Sequence, residues 1–240
     1  MQLIILSGQA GVGKTTIAHM IAKEAFELGF IPVIGSFAKA LKEEAAERGC
    51  SKEENPEGYR KFCQTLGAEK RLEDPMYWVN KFNEGLDKLE KKEQRDLKNK
   101  EKYWERCVIV DDCRYANELK YAREKKATTV FIMYGERDNP NKTKGWTNHE
   151  SEEMANTVAN SPDQFNNVFE YFLYNDADIK SLEEKVKIAT PFWCKIQADE
   201  NAPERMKEIS RCISNLIDLL LLSSLEEEEK KGNNFKEGAD

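Results

Sequence analysis

The chain is poor in the residues that build metal and redox centres. It has two histidines, His19 and His149, in 240 residues. Its six cysteines, Cys50, Cys63, Cys107, Cys113, Cys194 and Cys212, are widely spaced with no C-x-x-C pair. That spacing signals neither a zinc site nor a disulfide framework, and reduced thiols fit a cytoplasmic protein. Long apolar runs are also missing. The opening "MQLIILSG" ends at Ser7 and Gly8 and lacks a basic flank and a cleavage site, so it reads as a strand and not as a secretory signal. "NLIDLLLLSSL", near the other end, is interrupted by Asp218 and too short to cross a bilayer, so no membrane is expected as a partner. Nor is there an excess of positive charge. Lysine and arginine number 37 against 44 aspartate and glutamate, a net charge of −7, which argues against nucleic acid as the principal ligand. Anionic substrates must therefore meet a few particular cations.

What the chain does have is a phosphate cradle. "GQAGVGKT", from Gly8 to Thr15, matches G-x-x-x-x-G-K-[ST]. A short apolar strand, Leu3 to Leu6, precedes it, and Ile17, Met20, Ile21 and Ala25 follow at helical spacing. Gly8, Gly11 and Gly13 let the backbone turn with its N–H groups inward, and the helix start at Thr15 and Thr16 adds positive potential. Lys14 can bridge phosphate oxygens and Thr15 can ligate Mg2+, so ATP or a similar nucleoside triphosphate is the expected ligand.

Strands and helices alternate beyond it. "FIPVIGSF" reads as a second buried strand and "AKALKEEAAERG" as a helix closed by Gly49. The stretch from Glu54 to Leu86 reads as helical with breaks near Pro56, Gly67 and Pro75. A charged excursion, Asp87 to Arg106, has the composition of a solvated helix. "CVIVDD" is an apolar run ending in Asp111 and Asp112, the pattern of a strand buried on both faces. The helix "RYANELKYAREKKA", the strand "TTVFIMY", the polar loop "GERDNPNKTKGWTNHESEE", the strand "VFEYFLYND" and the helix "DIKSLEEKVKIA" complete the series. The expected fold is α/β, a mostly parallel doubly wound sheet with flanking helices, with ligands at the carboxyl ends of its strands. It occupies about residues 1–190, with a lid over about 135–150. Residues 191–240 form an extension with one amphipathic helix, Pro203 to Leu225, and a charged tail. Docking on the domain would cover the apolar face of that helix, and a homodimer is the other way to cover it.

A cradle is shared by switches, motors and kinases, so the reaction must be read elsewhere. The acids after "CVIVDD" stand where a metal-ordering carboxylate is expected, with Asp112 as the aligned acid, Asp111 the lesser, and Arg114 immediately after. Further cations sit at segment ends: Lys42, Arg60, Lys61, Lys70, Arg71, Arg137, Lys142 and Lys144. Phosphoryl transfer between two anions needs such charge around its transition state. His19 reads as a packing or surface residue, and "MYWV" either as core or as an aromatic face for a base.

These residues carry a resemblance. "LIILSGQAGVGKTT", "GSFAKALKEEA", "YRKFCQTLGAEKRLEDPMYWVNKF", "VIVDDCRYANELKYAREKKATTVFIMYGER", "HESEE" and "FLYNDADIKSLEEKV" resemble the phage deoxynucleoside monophosphate kinases and, more distantly, the animal-type phosphomevalonate kinases. The ordered set R-K-x5-G-x-E-K-R, D-x-R-x2-N-E and a final N-D is more particular than the cradle alone. The resemblance implies a P-loop kinase fold and small-molecule nucleotide substrates. It places Gly13, Lys14 and Thr15 at the donor phosphates, Arg60, Lys70 and Arg71 on an acceptor side spanning about 36–106, Asp112 and Arg114 at the reaction centre, Arg137 in the lid, His149 at a lid-to-helix junction, and Asn175 and Asp176 near the donor base; Lys42 is expected beside the acceptor cations, and Asp112 with Thr15 at the metal. Lys14-Thr15 departs from the Lys-Asp pair that the phage examples often carry. The alternatives are a kinase of another phosphorylated metabolite and a nucleotide-dependent switch.

Overall fold

The computed structural model describes residues 1–98, 104–134, 150–165, 167–175 and 178–196. They build a five-stranded, all-parallel sheet in the order β2-β3-β1-β4-β5. The strands are β1 Gln2–Gly8, β2 Ile31–Gly35, β3 Arg106–Cys113, β4 Thr128–Met133 and β5 Tyr171–Tyr174. The helices are α1 Lys14–Glu27, α2 Lys39–Glu47, α3 Pro56–Glu73, α4 Tyr77–Lys98, α5 Ala116–Glu124, α6 Glu150–Asn160 and α7 Ile179–Trp193. The expected α/β architecture is thus observed, and parallel pairing brings every strand's carboxyl end to one edge of the sheet. There the cradle, the Ser36 turn, Arg114, Tyr134 and Asn175 follow β1, β2, β3, β4 and β5 in turn.

Burial follows strand position. The central strands β1, β3 and β4 are inaccessible over most of their length, and alternation divides their side chains between two faces. Leu3, Ile5, Val108, Val110 and Phe131 share one cluster with Leu86 of α4, Leu119 of α5 and Val158 of α6. On the other face α1 packs against β2, β3 and α7. The apolar run around Ile31, expected to be buried, is instead the edge strand β2, with Ile31 and Ile34 each 41% exposed.

The helical middle also differs from expectation. Asn55 caps α3 by accepting the Gly58 N–H at 2.9 Å, with Pro56 in the first turn where its missing N–H costs nothing. The helix then runs through Gly67 without a break, because the Trp78 indole donates to the Gly67 carbonyl at 3.2 Å and Leu41, Leu66 and Trp78 pack together. Trp78 and Val79 are core residues, 3% and 1% exposed. The charged run continues α4 to Lys98, and it is not solvated throughout. Glu93 is buried, accepts the Arg106 N–H at 3.0 Å and lies 3.5 Å from the amino group of Met1.

Candidate phosphate-transfer site

The cradle is shaped by close backbone approach. Gly8 has φ of 144°, and a Cβ there would stand 2.2 Å from the Ile132 carbonyl oxygen of β4. Gly13, at φ 95°, opens α1 in the left-handed conformation. Each intervening residue is held by a side chain from beyond the loop. The Gln9 amide donates to Asn156 at 3.0 Å, the Ala10 N–H to Glu152 at 2.8 Å and the Tyr134 hydroxyl to the Gly11 carbonyl at 2.8 Å. Asn175, after β5, donates to the Val12 carbonyl at 2.9 Å. Lys14 curls over the loop, its Nζ donating to the carbonyls of Gly8 at 2.6 Å and Gln9 at 2.9 Å. Burial first, and then the charge of Arg114, lower its pKa to about 7. Thr15 and Thr16 are exposed at the helix start.

The two carboxylates of β3 part company at a bulge. Ile5 pairs with Val110 and Ser7 with Cys113, so three steps on β3 match two on β1. The Ser7 hydroxyl closes the irregularity by donating to the Cys113 carbonyl at 3.0 Å. A bulge re-aims side chains that alternation would otherwise place on opposite faces. Asp111 accepts the Thr15 hydroxyl at 2.6 Å. Asp112 instead holds the turn after β2, accepting from the Ser36 hydroxyl at 2.6 Å, the Phe37 N–H at 2.8 Å and the Ala38 N–H at 3.1 Å. Asp112, expected with Thr15 at the metal, is thus held by the Ser36 turn, and the carboxylate that meets Thr15 is Asp111.

Beyond the bulge, the backbone N–H groups of Arg114 and Tyr115 both donate to Glu118, at 2.7 and 3.1 Å. Glu118 is 3% exposed, and burial, followed by the Asp112 charge, raises its pKa to about 7. The Arg114 side chain pairs with Glu152 of α6. Arg71 lies over the Tyr115 ring, 3.8 Å from its centroid, so the end of α3 meets the residue after Arg114. Lys42 donates to the Ser36 hydroxyl at 3.2 Å, beside Asp112.

Other expected acceptor cations are placed differently. Lys70 donates to Glu73 at 2.8 Å, which raises its pKa, and its Nζ lies 5.6 Å from the centroid of the Tyr77 ring. Arg60 and Lys61 are exposed on α3, and His19 is exposed on α1. Arg137, Lys142, Lys144, His149, Asp176 and the helix over 203–225 lie outside the described residues. Glu118 and Glu152 were not singled out from the sequence. Glu118 had a signal in N-E at the start of "ANELK", and Glu152 in the acidic "HESEE".

The residues suit a nucleotide with a magnesium ion. The cradle has no room for a Cβ at Gly8, Lys14 sits over it, and the Thr15–Asp111 pair offers a hydroxyl and one carboxylate beside it. Magnesium with a nucleotide needs few protein ligands. That is compatible with the described residues, which contain no cluster of three or more His, Cys, Asp or Glu suited to a metal. Among them no helix is long and apolar enough to cross a membrane.

The parallel sheet, the cradle after its central strand and the carboxylates at the end of the adjacent strand define an α/β P-loop fold. No protein-family model matches the chain, and no curated protein matches it. Among solved structures it is similar to shikimate kinase from Bacteroides thetaiotaomicron, at 14% identity and TM-score 0.35, over 80% of this chain and 97% of that one. Shikimate kinase from Acinetobacter baumannii in complex with shikimate is 13% identical at TM-score 0.38, over 80% and 92%. Shikimate kinase from Aquifex aeolicus is 14% identical at TM-score 0.37, over 77% and 94%.

Proposed function

We propose that the chain is an ATP-dependent small-molecule kinase that converts deoxynucleoside monophosphates to diphosphates. The observation that carries this reading is the division of labour at the bulge. One carboxylate, Asp111, meets the donor cradle at Thr15, and its neighbour Asp112 anchors the Ser36 turn that leads into α2. A device that only hydrolysed or sensed a nucleotide would have no need to tie a second binding region to the same strand end. The resemblance of the segments around "QTLG", "MYWV" and "HESEE" to the phage kinases favours the nucleotide over other phosphorylated acceptors.

In this mechanism the cradle N–H groups and Lys14 hold the donor phosphates, and Arg114 stabilises charge on the phosphoryl group in flight. Thr15 and Asp111 would hold a magnesium ion, which would supply positive charge beside the donor phosphates. Lys42 and Arg71 bind the acceptor from the α2 and α3 sides, and Arg60 and Lys70 extend that side. Arg137 would add a further cation. An acceptor phosphate oxygen forms the new bond to Pγ as the bond from Pγ to the ADP oxygen breaks. No general base is required, since the second pKa of a phosphomonoester is about 6 and the nucleophile is already ionised.

The test is ATP, magnesium and the purified protein with each common deoxynucleoside monophosphate, thymidylate and deoxyguanylate first, following diphosphate formation. Conversion of at least one is expected. Turnover of phosphomevalonate with none for any nucleotide would overturn the acceptor, and ATP hydrolysis indifferent to every acceptor would overturn the kinase.

A further inference from the structure

Glu152 is a buried carboxylate with two partners, each on a different arm of the site. One oxygen accepts the Ala10 N–H of the cradle at 2.8 Å, across 142 residues of sequence, and the other pairs with the Arg114 guanidinium. One turn later on the same face of α6, Asn156 accepts from Gln9 at 3.0 Å, so α6 grips two successive loop residues. The exposures are unequal. The Glu152 side chain is 4% exposed and that of Arg114 36%, so a buried carboxylate is paired with an arginine that keeps part of its side chain open to solvent.

We propose that Glu152 is a positioning residue that holds the Arg114 guanidinium in register with the phosphate cradle. The inference rests on the kinase reading for its consequence, since Arg114 is there the cation at the transferred phosphate. A free arginine side chain has rotamer freedom that would have to be lost on reaching the transition state. A charge stabilises a transition state best when it is already in place, and a partner that pairs with the guanidinium while leaving part of the side chain open supplies that order. Because the same carboxylate holds Ala10, the arginine is fixed relative to the donor phosphates and not merely to β3.

Glu152→Gln tests this, because the amide oxygen can still accept from Ala10 while the charge opposite Arg114 is lost. Rotation about the Nε–Cζ bond of Arg114, followed by NMR in protein carrying labelled arginine, is expected to be slow in the parent and fast in the variant. Turnover at saturating ATP should fall about 10- to 100-fold, with the KM for ATP changed less than about 3-fold, the pattern of an interaction made in the transition state. Arg114→Ala combined with Glu152→Gln should be no slower than Arg114→Ala alone. Glu152→Asp, which keeps the charge but reaches one methylene less far, should lose less turnover than the glutamine variant. Melting curves identify a variant that fails to fold, and the aspartate variant then carries the same measurements. Unchanged Arg114 rotation, or losses that multiply in the double variant, would overturn the proposal. A parent that transfers phosphate to no acceptor overturns the kinase reading instead, and the rotation measurement still decides whether Glu152 holds the arginine.

Discussion

The Thr15 hydroxyl donates to Asp111 at 2.6 Å, while Asp112, one residue on, turns away to accept three hydrogen bonds from the Ser36–Ala38 turn. Adjacent residues of a regular strand point to opposite faces and would not both reach the same end of the site. The bulge between the Val110 and Cys113 pairings allows it. The cradle helix and the Ser36–Ala38 turn thereby answer to neighbouring residues of one strand.

Asp111→Asn and Asp112→Asn should therefore fail in different ways. The first removes a charge beside the expected metal position, so the magnesium concentration for half-maximal rate should rise and turnover should fall about two to three orders of magnitude. The second weakens the anchor of a partly buried turn and should cost about 1–3 kcal/mol of stability while raising the KM for the acceptor. Magnesium titrations and melting curves separate the two. A magnesium defect confined to Asp112→Asn would restore the pairing expected from the sequence.

Lys14 should take up a proton when the nucleotide binds. Its pKa is lowered to about 7 by burial and by Arg114, so much of it is neutral at pH 8. Phosphates placed against Nζ favour the charged form and raise that value. Calorimetric titrations of nucleotide at pH 8, in buffers of different ionisation enthalpy, should show net proton uptake approaching one per site, and Lys14→Met should abolish it. In the absence of nucleotide the sign is opposite for stability. Between pH 7 and the ordinary lysine value the unfolded chain binds the extra proton, so this residue's contribution favours folding more as pH rises. Lys14→Met should thus fold with an equal or higher melting temperature at pH 7 while losing turnover. Binding without proton uptake would count against the buried, neutral lysine.

Glu118 gives a second pH dependence, in the other direction. Its pKa is raised to about 7, from an ordinary value of 4.5, by burial and by Asp112. The folded protein holds that proton more tightly than the unfolded chain, so stability from this group is present below pH 4.5 and is lost as pH rises through 7. Both backbone donors, from Arg114 and Tyr115, go to the same oxygen, which a glutamine can replace. Glu118→Gln should gain on the parent from pH 4.5 to 7, by up to about 3 kcal/mol, and hold a constant difference above. Denaturant unfolding across that range measures the difference, and parallel curves would contradict the shift.

Much of this architecture was legible in local pattern. The cradle declares itself by glycine spacing between an apolar strand and a helix, and β3 and β4 declare themselves as uninterrupted apolar runs. What escaped was set by relations between distant segments. Ile31 and Ile34 read as buried, yet strand order puts β2 at the sheet edge, and order is not a local property. Asp112 reads as the aligned acid and Asp111 as the lesser, yet it is Asp111 that meets Thr15, because the bulge that aims them depends on pairing with Ile5 and Ser7, which local pattern does not show. Glu152 is one of three acids in the first turn of α6, and its burial comes from contact with Ala10 and Arg114. Arg71 and Lys70 are alike in sequence, but one lies over Tyr115 and the other is engaged by Glu73.

Gly67 offers a test of the acceptor side that leaves every charge in place. It lies inside α3, where alanine is favoured over glycine by about 0.5–1 kcal/mol. A Cβ there would stand 3.1 Å from Nη1 of Arg71 and 3.5 Å from a Leu41 methyl. The second is an ordinary contact, and the first is tight but falls on the far end of a flexible side chain. The helix can therefore accept the methyl group when the guanidinium gives by a few tenths of an ångström from its place over Tyr115, 3.8 Å from the ring centroid. Gly67→Ala should melt at the parent's temperature or slightly above it. Its KM for the acceptor should rise about 5-fold or more, with the KM for ATP unchanged, because the donor cradle belongs to β1 and α1. Steady-state kinetics with each substrate varied in turn gives both numbers. An unchanged acceptor KM in a protein that remains folded, together with an unchanged KM in Arg71→Ala, would remove Arg71 from the acceptor site.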